Sequence, residues 1–182
     1  SSWHPAFKQK VSRIEGAGQY KGIDLYLVDL ESTSKRGKVT VDHIGIGVIS
    51  SNIITYKGSI NPKNKEVGPE IFEYGKLHRR ADVQMEVSSP ADILGDWVSV
   101  SLELNLRNDE IIETWKDSRN ERVRYTLDDS SFLRVDDAYF IRPILVSTDD
   151  KFLRTPEVTL IKRGQEMTLF EGGRYVNTFV KK

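Results

Sequence analysis

The chain has no cysteine in 182 residues. That single absence excludes disulfide staples, thiolate zinc sites, iron–sulfur clusters and cysteine nucleophiles. It points to a reducing intracellular compartment, the cytoplasm or a virion interior, and the lack of any Asn-x-Ser/Thr glycan acceptor agrees. An excess of charge of one sign is missing too. Lys plus Arg number 27 and Asp plus Glu number 27, so no long-range field draws in nucleic acid or an acidic membrane, and polyanion binding has to come from a local patch. Apolar runs such as Pro143 to Val146 stop at four residues, far below the roughly 20 that a membrane-spanning helix needs. The chain opens Ser1-Ser2-Trp3 rather than on Met, and the expectation is that an upstream segment is missing.

Chemical signatures are equally sparse. Gly-x-Ser-x-Gly elbows, Gly-Lys-Ser/Thr phosphate loops and His-Glu-x-x-His helices are absent, and no Glu is followed two residues later by Lys. The three histidines, His4, His43 and His78, are never four residues apart, so no helical metal pair exists. The expectation is no catalytic residue, no metal and no cofactor.

What the sequence does contain is alternation. From Val98 to Leu106 every even position is aliphatic, and from Ser99 to Arg107 every odd one is polar. That is the pattern of a strand with one dry and one wet face. Val83, Met85 and Val87, then Val123, Tyr125 and Leu127, repeat it. Ile23 to Leu30 suits a covered strand. Segments 53–56, 132–135, 138–146, 157–163, 166–170 and 175–180 are further strands bounded by Asp, Gly or Pro.

Val39 and Val41 share one parity, and Ile44, Ile46 and Val48 the other, which predicts a β-bulge near Asp42-His43. Gly45 and Gly47 leave a flat strip for close packing. Three helical readings complete the pass. Phe7, Val11 and Ile14 recur at helical spacing between Pro5 and Gly16, predicting an N-terminal helix or arm over 1–18. Pro69 to His78 holds a short helix, and Ile111, Ile112 and Trp115 share the face of another after Asn108 or Asp109. Residues 58–68, rich in Asn, Pro, Lys and Gly, form an exposed loop.

The predicted fold is therefore α+β but β-rich. It is one domain over 1–182 with roughly eight to ten short strands in an antiparallel sheet or β-sandwich, and a few short peripheral helices. The function expected first is a non-enzymatic interaction and assembly protein, of the class that includes viral or phage matrix, movement and capsid proteins. It would self-associate as a homo-oligomer through sheet edges and through Trp3 and Phe7. Basic loops at Lys35, Arg36 and Lys38 and at His78, Arg79 and Arg80 would contact phosphate of lipid headgroups or nucleic acid. An alternative is a β-sandwich ligand- or membrane-binding module that uses the pairs Asp128-Asp129, Asp136-Asp137 and Asp149-Asp150 for Ca²⁺. The third is an enzyme with His43 as general base.

Overall fold

The computed structural model describes residues 7–63, 68–117, 120–148, 152–153 and 157–182, and the chain divides into two compact units, Ser1–Arg79 and Arg80–Lys182. Unit 1 is an antiparallel meander of β1 (Phe7–Tyr20), β2 (Ile23–Ser34), β3 (Val39–Ser50), β4 (Ile53–Lys57) and β5 (Lys76–Arg79), with α1 (Pro69–Glu73) between the last two strands. Lys21 and Gly22, at φ 49° and 74°, make the two-residue turn from β1 to β2, a turn whose twist matches that of the flanking strands.

The predicted N-terminal helix is a 14-residue strand instead. Its apolar spacing misled because of a bulge. Val11 stands opposite Leu30 and Arg13 opposite Asp29, so Ser12 is an extra residue. The extra residue brings Val11 and Ile14, three apart, onto one face of a strand, as three residues would be on a helix. The bulge predicted near Asp42-His43 is absent, since β2 and β3 stay in register from Asp24 opposite Val48 to Thr33 opposite Val39. Val39 and Val41 change parity because they lie where the ribbon is exposed.

Near α1 the meander is buried. Ile71 and Phe72 are buried on the helix, and Ile71 fills the strip left by Gly45, where an added Cβ would come within 2.5 Å of its side chain. The 58–68 loop is exposed at 61–63 but anchored by buried Ile60, whose N–H donates to the His43 carbonyl. Residues 64–67 lie outside the described set.

Unit 2 contains β6 (Glu86–Val87), β7 (Gly95–Val98), β8 (Leu102–Leu106), β9 (Glu110–Trp115), β10 (Arg122–Thr126), β11 (Phe132–Val135), β12 (Ala138–Ile141), β13 (Leu145–Thr148), β14 (Phe152–Leu153), β15 (Val158–Arg163), β16 (Glu166–Glu171) and β17 (Arg174–Lys181). All its pairings are antiparallel, in the order β6-β11-β12-β15-β16-β17-β7-β8-β9-β10-β13-β14. That sheet curls back on itself. Tyr125 on β10 and Glu171 on β16 are five strand spacings apart, about 24 Å along a flat sheet, yet their side chains meet at 3.0 Å. Trp97, Leu104, Ile111, Tyr125, Phe132, Leu160, Leu169 and Phe179 accordingly share one buried cluster.

The strand content exceeds the sequence reading, and α1 is the only helix among the described residues, so α+β overstates the helical part. The run from Trp97 to Arg107 is a hairpin rather than one strand. Ser99 accepts from the Leu102 N–H, Val100 is fully exposed at the tip, and Trp97 stands across from Leu104. Alternation survives such a fold, so it cannot reveal it. The predicted helix after Asn108 is β9, paired on both sides with β8 and β10. Asp128 bonds Ser130, and Asp136-Asp137 form the β11–β12 turn, so both pairs serve turns, while Asp149-Asp150 lie outside the described residues.

An added Cβ at Gly75 would overlap the Ile71 carbonyl oxygen and lie 2.7 Å from that of Tyr56. Gly75→Ala is expected to destabilise the protein by about 2–4 kcal/mol, read as a lower denaturation midpoint. Gly16→Ala, with nothing within 4 Å, is expected to change stability by less than about 0.5 kcal/mol.

Candidate self-association interface

The three longest strands among the described residues, β1, β2 and β3, run together well beyond the buried part of unit 1. From Gln9 to Gly16 every residue of β1 is exposed, and so is every residue of β3 from Val39 to Asp42. Val11 and Ile14 are 54% and 65% exposed, although they are the apolar residues of the segment. β1 pairs only with β2 among the described residues, which leaves its outer row of N–H and C=O groups without a strand. A long exposed edge is a template for another chain.

Two features blunt that edge. Bulges at Ser12 and between Gly16 and Gln19, the second with Gly18 at φ 88°, break regular pairing. Lys10 and Arg13 add charge along it, Lys10 pairing with Glu31 of β2 at 3.3 Å. Between the bulges Arg13, Ile14, Glu15 and Gly16 remain regular, with the Arg13 guanidinium 2.5 Å from the Glu15 carboxylate.

Of the residues expected to self-associate, Trp3 lies outside the described residues, and Phe7 begins β1 with its side chain outside them. The sequence reading missed Arg13, Ile14 and Glu15 because it took the segment for a helix, whose exposed positions carry no edge. The signal available was Gly16 and Gly18 so close behind an apolar triplet, which fits a bulged strand better than a helix interior.

The two basic clusters do not converge. Lys35, Arg36 and Lys38 are exposed at the tip between β2 and β3. Arg79 stands level with Ser50 through Ile53, twelve residues further along β3 than Lys38, or roughly 40 Å at the rise of an extended strand. His78 meets Tyr56 edge-on at 5.9 Å, and Arg80 pairs with Asp82 at 2.8 Å. His43 Nδ1 lies 2.7 Å from Asp29 Oδ1 in a half-exposed cross-strand pair on the open ribbon, and none of the described clefts is lined by it. No group of three or more acids and histidines among the described residues is placed to hold a metal. Among the described residues no helix is long and apolar enough to cross a membrane.

No protein-family model matches the chain, and no curated protein or solved structure matches it significantly.

The separation of the clusters makes a prediction. In pelleting assays with anionic phospholipid vesicles, Ala at Lys35, Arg36 and Lys38 together is expected to cost about 3 kcal/mol of binding, near a hundredfold, at about 1 kcal/mol per cation. Arg79→Ala should leave it unchanged. Equal losses from both would show that the two ends act as one surface.

Proposed function

We propose that this is a non-enzymatic assembly protein whose copies pair through the outer edge of β1, the ribbon tip at Lys35, Arg36 and Lys38 being free to contact a phosphate-bearing surface. The observation that carries the reading is the open β1 edge, with Ile14 65% exposed at its centre.

The sequence of β1 narrows how two edges can meet. A two-fold axis normal to an antiparallel sheet sets one residue opposite its own copy. Centres at Lys10, Arg13 or Glu15 oppose like charges. Centres at Val11 or Ser12 bring no opposite charges together. The centre at Ile14 sets Arg13 opposite the partner's Glu15 twice over, faces Lys10 with Gly18 and Lys8 with Tyr20, and opposes Ile14 to itself. The bulges leave Arg13 to Gly16 as the regular window around that centre. Bulges and cations that discourage open-ended stacking thus favour a closed pair.

One edge-to-edge pair belongs with the smaller interfaces, under about 1,200 Å², so a dimer with Kd in the micromolar range is expected by sedimentation or light scattering. Arg13→Glu should weaken it about tenfold, at up to about 1 kcal/mol for each cross-strand pair. The double exchange Arg13→Glu with Glu15→Arg should restore it, and Ile14→Lys should give monomers. A wild-type protein monomeric at millimolar concentration, or a double exchange as weak as Arg13→Glu alone, would refute the interface.

A further inference from the structure

Unit 2 buries an acid. Glu113 is 1% exposed on β9, with Leu104 across from it on β8 and Val123 on β10. The Tyr125 hydroxyl lies 2.5 Å from Glu113 Oε2 and 3.0 Å from Glu171 Oε1. Two carboxyl groups therefore face one hydroxyl, which carries a single hydrogen and can donate to only one of them. Were both acids ionised, the other contact would set lone pairs against lone pairs in the core, at a separation where only a hydrogen bond is stable. A second proton has to be present.

We propose that Glu113 and Glu171 share one proton at neutral pH, forming with Tyr125 a proton-dependent latch that ties β9 and β10 to the far end of β16. Burial decides which carboxyl holds it. Glu113 is enclosed by the core, whereas Glu171 is half-buried at its strand end, beside the Gly172-Gly173 turn. The charged groups around the latch divide the same way. Glu121, just before β10, adds negative charge near Glu113, while Arg174 stands across from Glu171 in the β16–β17 ladder. The remaining cross-strand neighbours are apolar, Ile111 and Val146 on either side of Tyr125 and Val158 opposite Glu171.

Desolvation, followed by the hydrogen bond and the charge of Glu171, raises the Glu113 carboxyl from 4.5 to about 9, while its bond from Tyr125 acts in the opposite direction. Burial, then the two carboxylates, pushes Tyr125 well above the usual phenol range, so the hydroxyl keeps its hydrogen throughout. Because Glu113 is held protonated in the fold but ionises freely in the unfolded chain, its contribution is complete below the unfolded value near 4.5. The contribution then falls as pH rises, and levels off once the folded protein also ionises near 9. Ionisation places two negative charges around one hydroxyl and loosens the tie across the curl.

Infrared spectroscopy tests this directly. The wild-type protein at neutral pH should show the C=O stretch of a buried protonated carboxylic acid, disappearing with a midpoint near 9. Glu113→Gln should abolish the band, and its melting temperature should gain on the wild type as pH rises between 4.5 and 9. If that variant does not fold, Glu171→Gln serves in its place, and the band should persist with a lower midpoint because the partner charge is gone. No band in the wild type at neutral pH, a band that survives Glu113→Gln, or an unchanged midpoint in Glu171→Gln would each overturn the latch.

Discussion

Each N–H and C=O on the side of β1 away from β2, its one strand partner among the described residues, needs water or another strand. How the chain treats strand edges accounts for most of its form. In unit 2 the twelve-strand order ends on β6 and β14, two residues each, so its terminal strands expose little backbone. In unit 1 the 14-residue β1 pairs only with β2 among the described residues. Burial gives no reason for β1 to extend past the buried part of its unit, where every residue from Gln9 to Gly16 is exposed. The extension costs conformational entropy at each ordered residue and gains little burial in return. Under the proposed function, pairing with a second copy supplies what burial does not.

Much of the strand content was legible because period-2 alternation is imposed by the pleat itself. Val123-Arg124-Tyr125 and the segments 132–135, 157–163, 166–170 and 175–180 fell where that pattern placed them, whereas 138–146 is two strands, β12 and β13, parted at Arg142 to Ile144. The failures share a cause. Alternation fixes which face a residue takes but not where the chain reverses. The Trp97 hairpin therefore looked like one strand, its turn closed by Ser99 without Gly or Pro. A bulge shifts parity by one, so Val11 and Ile14 imitated a helix. The candidate interface was invisible for that reason rather than for want of chemistry in the residues.

The basic loops illustrate a different limit. Lys35-Arg36-Gly37-Lys38 and His78-Arg79-Arg80 look alike in sequence, yet register places them at opposite ends of β3. Cross-strand register is a long-range property, set by turn geometry and burial, and local composition does not carry it. Only the first cluster lies in a chain reversal, where Lys35 to Lys38 and the adjoining β3 residues Val39 to Asp42 are all exposed. An approaching planar surface would meet that tip without displacing packed side chains. His78 and Arg79 belong to a strand that also has ladder bonds to maintain.

The period error also hid the buried acid. Read as a helix, Ile111, Ile112 and Trp115 make an apolar stripe with Glu113 outside it. Read as a strand, Ile111, Glu113 and Trp115 share a face, and a carboxyl lies in the middle of the core-facing row. Such a position is tolerable only if the group is neutral or fully bonded, because burying an unpaired carboxylate costs far more than burying a carboxylic acid with a partner. Tyr125 and Glu171 meet that requirement from strands that become neighbours only when the sheet curls. The polar cluster is therefore a consequence of the curl as well as a tie across it: a flat sheet would leave Glu113 no partner on β16 and no reason to keep its proton.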